Sequence, residues 1–238
     1  MTQYEGYMPY AYGAENVETV NEIFRKVYQY MAIGLILTAV TAYITASSTT
    51  MIRMLFTSSA PLIIIALAEV GLVIYLGAAL NKLSATTALM LFAAYSILNG
   101  ITCSVVLLVY TRASVYQAFF STAGMFGAMS IYGLYTKRDL TSMGSFLRMG
   151  IWGLLIAMLI NIFIGSSVIE LTVSVLGIII FLGLTAYDTA KIKEMAAASD
   201  RSGGDVTGKI AVIGALSLYL DFINIFLYML RLFGKHRD

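Results

Sequence analysis

The chain has 238 residues, of which 59% are hydrophobic and 12% charged, a composition typical of membrane proteins and not of soluble domains. Its 15 Lys and Arg residues and 13 Asp and Glu residues give a net charge of +2 with no basic block, which argues against nucleic acid as a partner. The single cysteine, Cys103, excludes an internal disulfide and gives no support for redox chemistry or a metal cluster.

The first 26 residues form a polar N-terminal arm, and residues 27–238 are expected to fold as one transmembrane domain. Seven apolar stretches of about 20 residues follow the arm, each long enough to span about 30 Å of hydrocarbon as a helix. They lie at residues 27–46, 61–80, 85–109, 115–136, 144–164, 170–190 and 210–232. The chain is therefore predicted to be an all-α integral membrane protein, a bundle of seven transmembrane helices.

The distribution of basic residues favours a cytoplasmic N-terminus. With seven crossings, ten Lys and Arg residues lie on the side of the N-terminus and five on the other side, and cytoplasmic loops collect positive charge. The C-terminal residues Arg231, Lys235 and Arg237 fall on the less basic side. That placement would agree better with a last segment that re-enters the membrane without crossing it. Seven crossings nevertheless remain the preferred interpretation of the two.

The last apolar stretch carries a polar stripe. Five polar side chains recur there at steps of four and three residues, along one face of a helix: Ser217, Asp221, Asn224, Tyr228 and Arg231. A polar face should not meet lipid, so the last helix is expected at the centre of the bundle. Taken singly, Ser217, Asn224 and Tyr228 also fit a purely structural role, bonding helices together. Asp221 does not, because a neutral Asn would serve that purpose without a buried charge.

Three acidic residues fall inside apolar stretches, where a charge is costly and marks an ion or proton path. Asp188 and Asp221 lie in the last two stretches, and Glu69 lies in the second, close to the depth of Asp221 by helical rise. At a separation of about 4 Å, two carboxylates repel by about 4 kcal/mol at an effective dielectric of about 20, so they would share a proton. The aspartate pair is therefore expected to be a pH sensor, closed in acid and opened in alkali.

The same three carboxyl groups suit calcium. Asp188, Asp221 and Glu69 offer the hard oxygen ligands that Ca²⁺ prefers, but they do not make a full cage, so binding is expected to be weak and transient. Ca²⁺ is then a permeant ion, and no cofactor is expected.

Four segments carry a resemblance to a known family: residues 184–193 (LTAYDTAKIK), 215–224 (ALSLYLDFIN), 99–102 (NGIT) and 135–140 (YTKRDL). In these segments the chain resembles the Bax inhibitor-1 family of transmembrane proteins, in its bacterial branch. The resemblance implies a seven-helix bundle with a central last helix and a pH-sensitive Ca²⁺ leak. It also implies a sensor formed by Asp188 and Asp221, and an acid in the second segment, which is Glu69 here.

One position departs from this pattern. In some bacterial relatives a basic residue about three helical turns after the second-segment acid locks onto the aspartates, and the matching residue here is Leu80. Lys82 is close enough in sequence for a shifted contact. Lys191, one helical turn from Asp188, is the other candidate counter-charge.

Two other functions fit parts of the sequence. Bacterial relatives are associated with a membrane-anchored AAA protease, so the resemblance also implies a regulatory protein whose polar arm binds such a partner. Tyr187 before Asp188 fits an intramembrane aspartyl protease, but the residues before Asp221 lack the Gly-x-Gly of that class, so an enzyme is not expected. The preferred prediction is a calcium leak channel of a bacterial inner membrane.

Overall fold

The structure is a computed structural model and describes residues 14–80, 82–199 and 204–237. These residues form eight α-helices. The helices are α1 (Ala14–Ser47), α2 (Thr49–Phe56), α3 (Ala60–Ala79), α4 (Ala85–Val109), α5 (Arg112–Tyr135), α6 (Thr141–Ile164), α7 (Ser167–Ala198) and α8 (Gly204–Phe233). The all-helical prediction is confirmed over this part of the chain.

The predicted count of seven membrane-spanning helices is not confirmed. Within the described residues, six helices are long and apolar enough to cross a membrane, namely α1, α3, α4, α6, α7 and α8. The α5 helix has 24 residues but is less apolar, because small and polar residues are spread along its whole length. The α2 helix, which the sequence analysis treated as a connection, has only 8 residues.

The α1 helix begins inside the segment that was predicted to be a polar arm. It is already helical at Ala14, and Ile23, Val27 and Met31 are buried in the core. Their spacing of four residues makes one apolar stripe on the otherwise polar first turns of the helix, which average hydropathy underrates. Residues 14–26 of the predicted arm are therefore helical, and its residues 1–13 lie outside the described part of the chain.

Short polar caps separate the long helices. The hydroxyls of Ser84, Thr111 and Ser166 each accept a backbone N–H from the first turn of α4, α5 and α7, respectively, which satisfies donors that the helix leaves free. The α6 helix ends at Gly165, which takes the left-handed conformation at φ 67°. This conformation reverses the chain into α7 with almost no loop.

The helix directions define two ends of the bundle. Asp205 at the start of α8 accepts the N–H of Ala85 at the start of α4, at 2.8 Å. The α1 and α4 helices run parallel, since Gly34 lies against Phe92, and Thr41, further along α1, lies against Gly100, further along α4. We call the end where α1, α4 and α8 begin the near end, and the opposite end the far end.

The residues after α8 are tied down at the far end. The N–H of Thr111 donates to the carbonyl of Lys235 at 3.0 Å, and the N–H of Arg237 donates to the carbonyl of Val109 at 2.8 Å. The N–H of Lys235 also donates to the Ser114 hydroxyl at 2.9 Å. The end of α8 is thus bonded to the turn between α4 and α5.

The α8 helix is central and α3 is peripheral. In the apolar window of α8, 61% of the residues are buried, against 6% in α3. The α8 helix packs against α1, α4, α5 and α7, whereas the only long helix that α3 contacts extensively is α4. This arrangement agrees with the prediction of a central last helix.

Candidate functional site

A cavity of about 560 Å³ contains all three acids that the sequence analysis singled out. We call it the aspartate cavity. Glu69 enters it from α3, Asp188 from α7 and Asp221 from α8. Its other polar lining residues are Tyr95, Arg148, Tyr187, Ser217, Asn224 and Tyr228. Arg148 is the single Arg or Lys among the lining residues, so acidic side chains outnumber basic ones in the cavity.

Asp221 is the most enclosed of the three acids. It is 4% exposed, and its Oδ2 atom is buried with no hydrogen-bond partner among the described residues. Asp188 is close enough to act on it electrostatically, and the Thr185 hydroxyl lies beside it. Thr185 already donates its proton to the carbonyl of Phe181 at 2.8 Å. The carbonyl and Asp221 therefore compete for one hydroxyl proton, and the buried Oδ2 atom is best satisfied by a proton or a cation.

Asp188 is half-buried and lies near two positive charges. Lys191 and Arg148 both act on it electrostatically, and the Ser217 hydroxyl is its neighbour. The same two cations flank the ring of Tyr187: Arg148 Cζ lies 5.3 Å and Lys191 Nζ 6.0 Å from the ring centroid. Both distances are within the range of cation–π attraction. Positive charge therefore collects on the near-end side of the cavity.

Lys82 and Lys191, the two predicted counter-charges, differ in their position relative to the aspartates. Lys191 is exposed and is not among the cavity-lining residues, but it is near enough to Asp188 to act on it electrostatically. Lys82 is exposed and is not among the residues that line the cavity. The basic residue that lines it instead is Arg148 of α6, which was not predicted as a counter-charge.

Glu69 belongs to a hydrogen-bonded network that joins four helices. It accepts a bond from Thr102 at 2.6 Å, and Asn99 lies close to its carboxyl group. The Tyr219 hydroxyl donates to Asn99 Oδ1 at 3.0 Å and also bonds Thr38 of α1. Tyr219 is fully buried. It lies off the polar stripe of α8, which is why the sequence analysis did not select it.

The polar stripe of α8 follows the cavity along its length. Ser217, Asn224 and Tyr228 line the cavity with Asp221, and Arg231 lies beyond it at the far end. The ring of Tyr228 fits against α7 at Gly177, where a Cβ atom would fall 2.6 Å from Tyr228 Cε2. The Asn224 amide donates to the carbonyl of Leu220 at 2.8 Å, one turn back in its own helix.

The three acids do not form a preformed metal cage. Among the described residues, no group of three or more His, Cys, Asp or Glu side chains is close enough to hold a metal ion. The three carboxyl groups therefore share one cavity without meeting at a single point.

Comparison with known proteins identifies the family of this chain. The family model described as "Inhibitor of apoptosis-promoting Bax1" matches residues 20–238. The inner membrane protein YbhL of Escherichia coli K12 is 46% identical over 212 residues, which is 89% of this chain and 91% of that protein. An uncharacterised protein of Borreliella burgdorferi is 44% identical over 218 residues, which is 92% of this chain and 94% of that protein.

A third relative, the uncharacterised protein RP147 of Rickettsia prowazekii, is 42% identical over 222 residues, which is 93% of this chain and 92% of that protein. The residues that the family model matches include all the helices that line the aspartate cavity. The chain therefore belongs to the Bax inhibitor-1 family of membrane proteins, as the segments around its two aspartates predicted.

Proposed function

We propose that this protein is a pH-sensitive Ca²⁺ leak channel in which Asp188 and Asp221 form the sensor and Glu69 lines the path. The observation that carries the proposal is the buried, unpaired oxygen of Asp221 in a cavity that also contains two further acids. Carboxyl groups in the middle of a membrane bundle are costly unless they take part in moving ions or protons.

The sign of the pH response follows from the charges. In acid, Asp221 holds a proton, its oxygen is satisfied and the cavity carries less negative charge. As pH rises the proton leaves, and the two aspartates become like charges that repel each other inside the cavity. The repulsion loosens the packing of α7 against α8, and the extra negative charge attracts Ca²⁺. Flux therefore increases from acid to alkali.

The α3 helix is the element that can move at the lowest cost. It makes extensive contact with only one long helix, α4, and most of its surface is exposed to the surroundings of the bundle. Glu69 holds it to α4 through the bond to Thr102. A Ca²⁺ ion that binds the Glu69 carboxylate competes with this bond and releases α3.

We place the protein in a bacterial inner membrane with its near end and N-terminus in the cytoplasm. Ten of its 15 basic residues lie on that side if the seven long helices all cross. One relative is itself named an inner membrane protein. The regulatory role, in which the arm binds a membrane-anchored AAA protease, depends in large part on residues 1–13, which the structure does not describe. The three acids in the aspartate cavity favour the channel over this regulatory role.

The test is Ca²⁺ entry into liposomes that contain the purified protein and a calcium-sensitive dye, measured from mildly acid to mildly alkaline pH. We expect flux to rise with pH in the wild type, to lose most of its pH dependence in Asp188→Asn and Asp221→Asn, and to fall in Glu69→Gln. Asp139→Asn makes the same chemical change in an exposed turn and is the matched control. An unchanged pH response in both cavity aspartate variants would eliminate the sensor.

A further inference from the structure

A second cavity of about 350 Å³ lies on the far-end side of the aspartate cavity. Its lining residues are Met158, Asn161, Ile162, Glu170, Val173 and Arg231. Glu170 and Arg231 are exposed, so this cavity opens at the surface of the far end. We call it the far-end vestibule. Met158 lines both cavities, so the two spaces meet at this one side chain.

Three side chains contact one another where the two cavities meet. Met158 Sδ accepts a weak hydrogen bond from Arg231 Nη1 at 3.4 Å and lies 4.0 Å from the Tyr228 hydroxyl. The Arg231 guanidinium carbon lies 5.7 Å from the centroid of the Tyr228 ring. The contact is thus built from one residue of α6 and two residues of α8, one helical turn apart.

Of the three, Met158 is the residue that moves at the lowest cost. The Tyr228 ring is held between Gly177, whose backbone it touches, and Phe181, whose ring centroid is 6.0 Å away. Arg231 is held by its contact with that ring. A methionine side chain is unbranched, has three rotatable bonds and accepts only weak hydrogen bonds. It can swing aside without breaking a strong interaction.

We propose that Met158 is the gate between the aspartate cavity and the far-end vestibule, and that the two cavities form one continuous path when its thioether swings away. The identity of the ion that uses this path rests on the proposed function, but the connection itself does not. The vestibule has one acid and one base, Glu170 and Arg231, so selection for cations falls to the three carboxyl groups inside.

The experiment measures access to the aspartate cavity with a positively charged, membrane-impermeant methanethiosulfonate. The reporter is Asn224→Cys in a Cys103→Ala background, which leaves the introduced thiol as the single one in the chain. The protein is placed in liposomes and the reagent is added outside. Ser166→Cys, in the short turn between α6 and α7, gives the fraction of molecules whose far end faces outward.

In molecules with the far end outward, we expect Met158→Ala to speed modification of the reporter thiol at least tenfold. Met158→Leu keeps the volume and should stay within about twofold of the background. Met149→Ala is the matched control, because Met149 is on the same helix but 67% exposed on the outside of the bundle. If Met158→Ala fails to assemble, Met158→Val shortens the side chain with less loss of packing and should also speed modification.

An unchanged rate in the shortened Met158 variants would overturn the gate, as would equal acceleration in Met149→Ala or Met158→Leu. The readout is separate from calcium transport. If modification is accelerated while no variant passes Ca²⁺, the gate stands and the calcium leak fails. If Ca²⁺ flux is present and the modification rate does not respond to Met158, the gate fails and the leak stands.

Discussion

The Tyr219 hydroxyl joins three helices at one point, so its removal tests the central packing of α8. Tyr219→Phe deletes a single oxygen atom and keeps the ring. The ring contacts with Phe92 and Tyr95, at centroid distances of 5.5 and 5.8 Å, are retained. The change therefore isolates the hydrogen bonds to Asn99 of α4 and Thr38 of α1.

The expected loss of stability is about 1.2 kcal/mol, since hydrogen bonds between membrane helices average about 0.6 kcal/mol each. No large extra penalty is expected for the two groups left behind. Asn99 still receives the weak Cys103 thiol bond at 3.5 Å, and Thr38 can give its one proton to the carbonyl of Ser96 at 2.9 Å or of Gly34 at 3.0 Å. A loss of about 1.2 kcal/mol corresponds to an unfolding equilibrium constant about eightfold larger.

The assay is unfolding in mixed micelles with an increasing fraction of sodium dodecyl sulfate, followed by circular dichroism. Tyr116→Phe makes the same chemical change at a ring that is 63% exposed on the outside of the bundle. This control should change the unfolding free energy by less than about 0.5 kcal/mol. A Tyr219→Phe variant as stable as the wild type, or no less stable than the control, would refute the role of this hydroxyl in joining α1, α4 and α8.

Three further predictions concern packing, charge and capping. Gly177→Ala should destabilise the protein by about 1 to 3 kcal/mol in the same assay, because the new methyl group overlaps the Tyr228 ring. Arg148→Gln removes the one positive charge that lines the aspartate cavity, so the pH midpoint of Ca²⁺ flux should move higher, and a midpoint that stays in place would refute its role. Hydrogen bonds from Thr141 hold the pKa of Asp139 below its ordinary value. The stability they add is present above the unfolded-state pKa and is lost as pH falls through the folded-state pKa, so Asp139→Ala should melt earlier than the wild type at neutral pH, with a gap that closes in acid.

Most of the helical architecture could be predicted from hydropathy alone, because each long apolar stretch has only one way to satisfy its backbone in a membrane. The exceptions have local causes. The start of α1 is helical although it is polar, since Ile23 and Val27 reach the core on one side only. The α2 helix is too short for a hydropathy signal and depends on Ser48, whose hydroxyl caps its first turn.

The three acids of the candidate site could be predicted because each lies inside an apolar stretch, and the other predicted residues follow from spacing along single helices. The stripe of α8 gave Ser217, Asp221, Asn224 and Tyr228, because residues on one helix face follow from spacing. Residues that approach from another helix have no such signal. Arg148 and Met158 of α6 line the cavity because α6 packs antiparallel to α7, with Gly144 against Tyr187 and Gly150 against Ile180. One sequence does not specify which helices become neighbours.

The bonded tail at the far end has a practical consequence for anyone who wishes to attach a label or an affinity tag. The last residues hold the end of α8 through backbone bonds to Thr111 and Val109. A rigid fusion partner joined directly after Asp238 would pull on these bonds and on the helix that contains Asp221. A long, flexible Gly-Ser spacer would keep that strain away from the helix, and a tag placed at the other terminus would avoid it.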